Sequence, residues 1–551
     1  MHKTLSPVII LFLLTCLLSL GLFQGALVNG HDALSGLIRA LCLDKYLMIG
    51  QVLPRWSPDL NFGYGSPMFN FYPPFFYMFT VMLSKFTSNM LLALNLTSFI
   101  FWLVSGVGMY LFARELWGKR GGLLSAVTYL YAPYHIQDLY VRGAFAEFTA
   151  FAFFPLILLS IYKVSQNQKR RYILLGVIST FLLSLTHNIM SMLFLPIVII
   201  YIVFLFVMTK NYCIFKCGAI ILVLGLMMSS FFWLPALFEK KMLNLSYLIS
   251  MRYDFHKNFV TFAQLFSPPW VRLSDMQGIS FQIGLSACLL SLVPIECMFR
   301  NLKSNRNVSS HYFFFLSLGI FSIFFTLASS VVFWDHISIL KFIQFPWRIL
   351  AIIVFAVSVL SGSFMVLFKK NVISNFLLVT AVIFIIFSSF KFLWPINTVE
   401  VDESVLKRNI VNTVYLGEGE YTPMWIKTPV LAVPPEKFQI IQGVAQLSKY
   451  RSFSSVGFEV SINTMTTSLI CFHSYYFPGW RAFIDDNEVS IDPNNTFGLI
   501  LFQVTPGDHI LKVVFGSTPV RTIATGISCF GFGFLLVLFI FYSKWERFIK
   551  V

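Results

Sequence analysis

The chain has 551 residues, 57% of them hydrophobic and only 12% charged, with a mean hydropathy of +0.76 and a formal charge of +16. A soluble globular domain carries roughly a quarter of its residues as charges, and a disordered chain combines low hydrophobicity with high charge, so both classes are excluded. What remains is a polytopic α-helical membrane protein, whose helices each need about 20 apolar residues to cross the hydrocarbon.

The excess of 40 Lys+Arg over 24 Asp+Glu falls in short loops between apolar runs, where basic residues set orientation. No nucleic-acid partner is expected. Eight Cys are scattered without a repeated spacing, and Cys213 and Cys217 read as a helix-buried pair. Neither a disulfide framework nor a zinc site follows from them.

Apolar runs predict about twelve spans, near 5–28, 89–112, 121–139, 146–164, 172–187, 188–208, 213–238, 278–299, 312–333, 345–368, 372–395 and 521–543. The first run lacks a small-residue cleavage site and exceeds a usual signal-peptide core, so it is read as a permanent helix. With both termini cytoplasmic, Arg114/Lys119/Arg120, Lys163/Lys169/Arg170/Arg171, Lys210/Lys216, Arg300/Lys303/Arg306, Lys369/Lys370 and Lys544/Arg547/Lys550 all fall inside. Residues 71–86, opened by Pro73-Pro74, would invert that pattern as a full span and are read as a re-entrant or interfacial helix.

Residues 29–88, 239–277 and 396–520 then face outward. The chain divides into a transmembrane domain (1–395), an extracytoplasmic β-rich domain (396–520) and a final helix with a cytoplasmic tail (521–551). In the β-rich region GFEVSIN (457–463), SLICFHS (468–474), WRAFID (480–485), FGLILFQV (497–504) and HILKVVF (509–515) alternate apolar and polar residues. Asp485-Asp486-Asn487 and Pro506-Gly507-Asp508 supply turns between them, which predicts an antiparallel β-sandwich.

Candidate chemistry gathers at the outer ends of the spans. His31-Asp32 precedes a stretch with Leu34, Leu37, Ile38, Leu41 and Met48 on one helical face, an interfacial helix. Asp32 suits either an N-cap or a general base, and the two are compatible. Arg55, in a Gly- and Pro-rich loop with Tyr72, can grip phosphate oxygens bidentately. Asp138, Tyr140, Arg142 and Glu147 lie at the next outer junction, where charge at membrane depth marks either a site or an internal ion pair. His187-Asn188 and Gln344, Trp347 and Arg348 extend the pattern. For His187 the alternative is a satisfied helix-end histidine, and for Arg348 a side chain snorkelling to the interface. Lys240, Lys241, Arg252, Lys257 and Arg272 suit a surface facing lipid headgroups. No Walker-type loop and no H-E-x-x-H is present, which disfavours an ATP-driven pump and a zinc protease. The four N-x-[ST] matches, at Asn95, Asn244, Asn307 and Asn494, carry no weight.

The ordered set HD-x6-R (31–39), G-x3-PRW (50–56), GYG-x-P-x-FNFYPP (63–74), YVRGAFAE (140–147), THN (186–188), FFWLPA (231–236), QFPWR (344–348) and the later YYFPGWRAFIDD resembles a bacterial membrane family. That family is labelled 6-pyruvoyl-tetrahydropterin synthase-related and is similar to the YfhO-like proteins of the GT-C class of glycosyltransferases. The label's own activity belongs to a small soluble zinc enzyme, and no His triad suited to zinc is found here.

The resemblance implies a GT-C-like transferase of the cytoplasmic membrane that takes sugar from a polyprenyl-phosphate-linked donor. The acceptor would be an envelope glycan, lipid or protein on the outer face. It implies Asp32 as catalytic base, with His31, Arg39, Arg55, Tyr72, Arg142, Glu147, His187, Gln344 and Arg348 binding substrate. The loop at 54–74 would close over the sugar, and Tyr475, Tyr476, Phe477 and Trp480 serve either as an acceptor platform or as core. Many members carry a D-x-D, E-x-D or D-E pair where this chain has His31-Asp32, so no metal ligand is assigned and a divalent cation stays optional. The alternative functions are a lipid or polysaccharide transporter and an envelope-assembly scaffold. A transporter would place polar groups near the bilayer midplane instead of at the outer helix ends.

Overall fold

The computed structural model describes residues 6–167, 170–244, 254–268, 278–302, 305–368, 371–410 and 421–540. Lys169, Arg252, Arg272, Lys303, Lys369, Lys370 and the tail with Lys544, Arg547 and Lys550 lie outside the described residues.

Among the described residues seven helical units are long and apolar enough to cross a membrane: Met90–Tyr140, Phe145–Gln166, Asn188–Thr209, Arg306–Thr326, Pro346–Leu367, Val372–Phe392 and Pro519–Leu538. Cys213–Met228 and Ser230–Met242, bent at 71°, make an eighth if joined. The first unit contains a reversal. Gly118 has φ 75° and ψ 178°, a conformation open chiefly to glycine, and Trp102 Nε1 donates to the Leu130 carbonyl at 3.3 Å. Met90–Leu130 is thus a helical hairpin, as the separate runs at 89–112 and 121–139 predict.

The expected count of twelve departs from this where hydropathy is blind to breaks. Residues 278–299 form no single helix: Leu285–Leu292 and Ile295–Arg300 are separated at Pro294, whose ring denies the helix an amide donor. Pro7–Leu22 and Arg170–Thr186 are shorter than a typical span. Phe75–Thr87 has 13 residues, about 20 Å at 1.5 Å per residue, which suits a re-entrant or interfacial segment and not a crossing. Phe145–Gln166 and Pro346–Leu367 are the central helices, with 94% and 89% of their apolar windows buried against 22% for Pro519–Leu538. Phe154 and Phe194 stack at their junction with centroids 4.2 Å apart, and Phe355 meets Phe194 edge-on at 5.6 Å.

The strands are β1 (Leu27–Val28), β2 (Thr398–Val399), β3 (Phe438–Gln442), β4 (Ala445–Ser454), β5 (Gly457–Thr464), β6 (Ser468–Tyr475), β7 (Trp480–Ile484), β8 (Asn487–Val489), β9 (Leu499–Val504) and β10 (Gly507–Phe515). β1 and β2 form an antiparallel pair that ties residue 28 to residue 398. The others make a five-stranded sheet in the order β4-β5-β10-β7-β8 and a three-stranded sheet in the order β3-β6-β9. The two sheets share one core: Phe472 of β6 meets Phe458 of β5 at 5.1 Å and Trp480 of β7 at 5.5 Å. This is the expected antiparallel sandwich. Asp485 and Asp486 take positive φ in the two-residue β7–β8 turn, as a hairpin of that length demands. Tyr475, Phe477 and Trp480 are buried, so they are core and not an exposed platform.

The loop after the helix Ala33–Met48 is fastened to the sandwich. Trp56, fully buried, lies 5.5 Å from Phe515 and 5.7 Å from Trp480. Gly65, at φ +88°, passes so close that a Cβ there would stand 2.5 Å from the Trp56 ring. The loop at 54–74, expected to close over the sugar, is a strap docked on the sandwich at Trp56, and its Phe71, Tyr72 and Pro73 line the cavity described below.

Candidate functional site

The helix Ala33–Met48 is buried along most of its length, more enclosed than the expected helix lying on a bilayer. Its start is pinned from outside. The Asp32 amide donates to the Arg142 carbonyl at 2.7 Å and the His31 amide to the Val141 carbonyl at 3.3 Å. Gly143, at φ +64°, allows this contact, since a Cβ there would meet Ala33 at 2.6 Å. Held in this way, Asp32 stands at the N-cap position without capping: its side chain accepts no bond from the helix.

Beneath it lies a buried charge cluster. Arg142 pairs with Glu147 at 2.9 Å and also with Asp138 one helical turn back. Glu147 accepts from Tyr134 Oη at 2.6 Å and faces Arg348 Nε at 3.5 Å. Arg142 lies 4.7 Å from the Trp347 ring centroid, and Arg348 donates to the Ile343 carbonyl at 3.0 Å and to Gln344. The internal ion pair anticipated for Arg142 and Glu147 is therefore present. Arg348 turns inward instead of snorkelling, with 9% of its surface exposed.

These groups border one cavity of about 170 Å³, lined by Asp32, Arg39, Tyr72, Arg142, Glu147, His187, Asn188, Gln344, Arg348 and Tyr421 among others. Arg39 lies 4.1 Å above the Tyr72 ring. His187 Nδ1 accepts the Met190 amide at 3.1 Å and so caps the helix Asn188–Thr209, the satisfied helix-end role, while still lining the cavity. Gln344 is in the left-handed region at φ 68°, a strained setting that breaks the chain just before Pro346–Leu367 begins. Eight of the ten residues singled out from sequence meet here, from segments that lie hundreds of residues apart.

Two do not. His31 is exposed and lies outside the lining. Arg55 is turned away, donating to Asn70 Oδ1 at 3.0 Å and to the Phe231 carbonyl at 2.6 Å. Burial, with Arg521 nearby, pulls the Arg55 guanidinium down to about 10. Tyr421 is the lining residue the sequence did not reveal: it sits at φ 61°, its ring parallel to Phe71 at 6.0 Å. Tyr421 lies ahead of the alternating strands in a stretch without periodicity, so no local pattern marked it.

A divalent cation does not fit this donor set. Among the described residues no three His, Cys, Asp or Glu side chains gather. Asp138 and Glu147 are already taken up by Arg142, which leaves Asp32 as the carboxylate of the cavity lining with no hydrogen bond or ion pair to a described residue.

Four likenesses bear on identity. A region of a Lactococcus lactis subsp. cremoris protein, described only as uncharacterized, is 23% identical over 238 residues, 42% of this chain and 39% of that one. The apo oligosaccharyltransferase of Archaeoglobus fulgidus is similar at a TM-score of 0.44 and 12% identity, over 70% of this chain and 55% of that one. ArnT of Cupriavidus metallidurans bound to undecaprenyl phosphate is similar at 0.41 and 13%, over 68% and 62%. This chain thus spans less than two thirds of each, and the structural likenesses, at these scores, transfer no residue role. The model of the 6-pyruvoyl-tetrahydropterin synthase related domain, described as a membrane protein, matches residues 69–395, more than half of the sequence. By that match, the chain belongs to the 6-pyruvoyl-tetrahydropterin synthase related family of membrane proteins.

Proposed function

We propose that this protein is a membrane glycosyltransferase that moves a sugar from a polyprenyl-phosphate-linked donor to an envelope glycan, lipid or protein acceptor at the outer face of the cytoplasmic membrane. The observation that carries this reading is the unpaired Asp32 carboxylate sharing a cavity with Arg39, Arg142 and Arg348. Asp32 takes the proton of an acceptor hydroxyl as its oxygen attacks the anomeric carbon. The bond from that carbon to the donor phosphate breaks, and the departing lipid phosphate keeps the electron pair. Guanidinium donors fixed before the reaction stabilise the charge that develops there. Glu147 and Asp138 hold Arg142 in place, which lowers the reorganisation the transition state requires. Arg55 has no part in this step, because it lies outside the cavity lining and donates to Asn70 and to the Phe231 carbonyl instead.

Polar groups at helix ends, as at Asp138, His187 and Arg348, favour surface chemistry over carriage through a midplane site. The test is complementation of a deletion strain with Asp32→Asn and Asp32→Ala at matched membrane abundance, read by mass spectrometry of envelope glycans and lipid-linked sugars. Both variants are expected to lose a glycan modification and accumulate its lipid-linked donor. Wild-type behaviour of both would overturn the reading in favour of transport or scaffolding.

A further inference from the structure

A second and larger cavity, of about 770 Å³, opens where the end of the helix Ala33–Met48 meets the sandwich. It shares no lining residue with the Asp32 cavity. Its volume lies in the range of about 300–1,000 Å³ usual for ligand sites.

Its chemistry is mixed in a particular way. Phe453, at the end of β4, is 43% exposed, and Phe458 of β5 is buried beneath. Asp59 pairs with Lys45 through Oδ1 at 2.8 Å, whereas its Oδ2 is buried and has no hydrogen bond among the described residues. Lys437 is mostly buried and donates to the Gly63 carbonyl at 2.8 Å and the His473 carbonyl at 3.4 Å. An ammonium has three donors, and these carbonyls take two of them. Glu436 balances the charge count at two cations and two carboxylates, and Ser452 and Ser454 add hydroxyls at the rim. A wall without net charge selects neither an anion nor a cation. Aromatic rings beside a buried acceptor and a buried donor suit a neutral polyhydroxylated molecule, whose C–H face lies on the ring and whose hydroxyls bond at the edges.

We propose that this cavity binds a neutral carbohydrate chain, at a site separate from the Asp32 cavity. The inference does not depend on Asp32 being a catalytic base. Strand addition by a protein partner along the edge strand β4 is disfavoured, because its pairing shifts register between Ser448 and Arg451 and again between Ser452 and Ser454. Lys449 there has φ 47°, and such irregular edges resist a further strand.

The experiment is saturation-transfer NMR and titration of the purified full-length protein in nanodiscs with tetramers of glucose, galactose and N-acetylglucosamine. At least one tetramer is expected to bind saturably, with affinity at least tenfold weaker in Phe453→Ala and in Asp59→Asn and abolished in Ser452→Trp, which fills the cavity from an exposed position. Thermal unfolding of each variant within a few degrees of wild type checks that folding is retained. The proposal is overturned if no tetramer binds the wild type, if binding survives Phe453→Ala and Ser452→Trp, or if it is lost in Asp32→Asn while Ser452→Trp retains it.

Discussion

Glu239 and Arg521 form a buried ion pair at 2.9 Å, with 7% and 1% of their side chains exposed. Glu239 also accepts from Asn70 Nδ2 at 2.7 Å and from Thr518 Oγ1 at 2.6 Å, and Arg521 donates to the Gly516 carbonyl at 3.3 Å. One carboxylate therefore joins the bent helix pair, the strap that carries Phe71 and Tyr72 to the Asp32 cavity, and the first turn of the last helix. Removing one partner leaves the other charge buried and unpaired, which costs about 3–5 kcal/mol. Glu239→Ala is expected to lower thermal stability by that order. Glu239→Met combined with Arg521→Met should lose less than Glu239→Ala alone, and a double-mutant cycle by thermal unfolding in detergent measures the difference.

Trp56 anchors the strap to the sandwich. Trp56→Ala should cost about 3–5 kcal/mol, the usual loss for a buried large aromatic. Gly65→Ala should also destabilise, since it meets both the positive φ and the Trp56 ring 2.5 Å away. Limited proteolysis across residues 54–74 is expected to become faster in both variants, and unchanged cleavage would contradict the docking.

His509 Nδ1 contacts Asp485 Oδ2 at 2.6 Å, and its Nε2 lies 3.1 Å from the Thr505 carbonyl. The hydrogen bond to Asp485 raises the His509 pKa above its ordinary value. A raised histidine stabilises the folded state fully below the unfolded pKa of about 6.5 and loses that contribution as pH climbs through the folded value. The sandwich should therefore be more stable at pH 6 than at pH 8, by less than about 1 kcal/mol because the pair is partly exposed. Asp485→Asn is expected to flatten that slope in thermal unfolding across the interval.

Tyr421 contributes a ring stacked on Phe71 at the edge of the Asp32 cavity. Tyr421→Ala should remove the about 0.5–1.5 kcal/mol of an aromatic pair together with the burial of a half-buried ring. On the transferase reading the same change reduces glycan product and raises KM for the lipid-linked donor more than it lowers kcat, because it opens the cavity without touching Asp32. Equal loss in both constants would point to a role in the reaction itself.

Charged residues at helix ends made the site legible from sequence, since YVRGAFAE and FIQFPWR place Arg142, Glu147 and Arg348 in otherwise apolar helix ends, where charge is costly unless it is used or paired. The alternation in 457–515 likewise carried the sandwich, because burial of one face per strand writes a period of two. Arg55 could not be assigned in that way. Its surroundings are made by Asn70, Phe231 and Arg521, and the sequence around it says only that it is a cation in a stiff loop. Hydropathy also overlooked the break at Pro294, where composition stays apolar while the backbone leaves the helix. For Asp32, residue type fitted a cap, but the Arg142 carbonyl holds the helix start from the other side and the carboxylate is left to the cavity.

The pairing of β1 with β2 joins positions 27–28 to positions 398–399 in a single short ladder, and Asp32 and Tyr421 border one cavity although 389 positions separate their numbers (421 − 32). At about 5–20 residues per second, roughly 20–80 s of synthesis pass between the emergence of the first and that of the second. Throughout that interval the helices can insert while the Asp32 cavity has no Tyr421 wall. The order of manufacture thus keeps the cavity incomplete until the β-rich region has begun to leave the ribosome, and a chain that stalls earlier never encloses it.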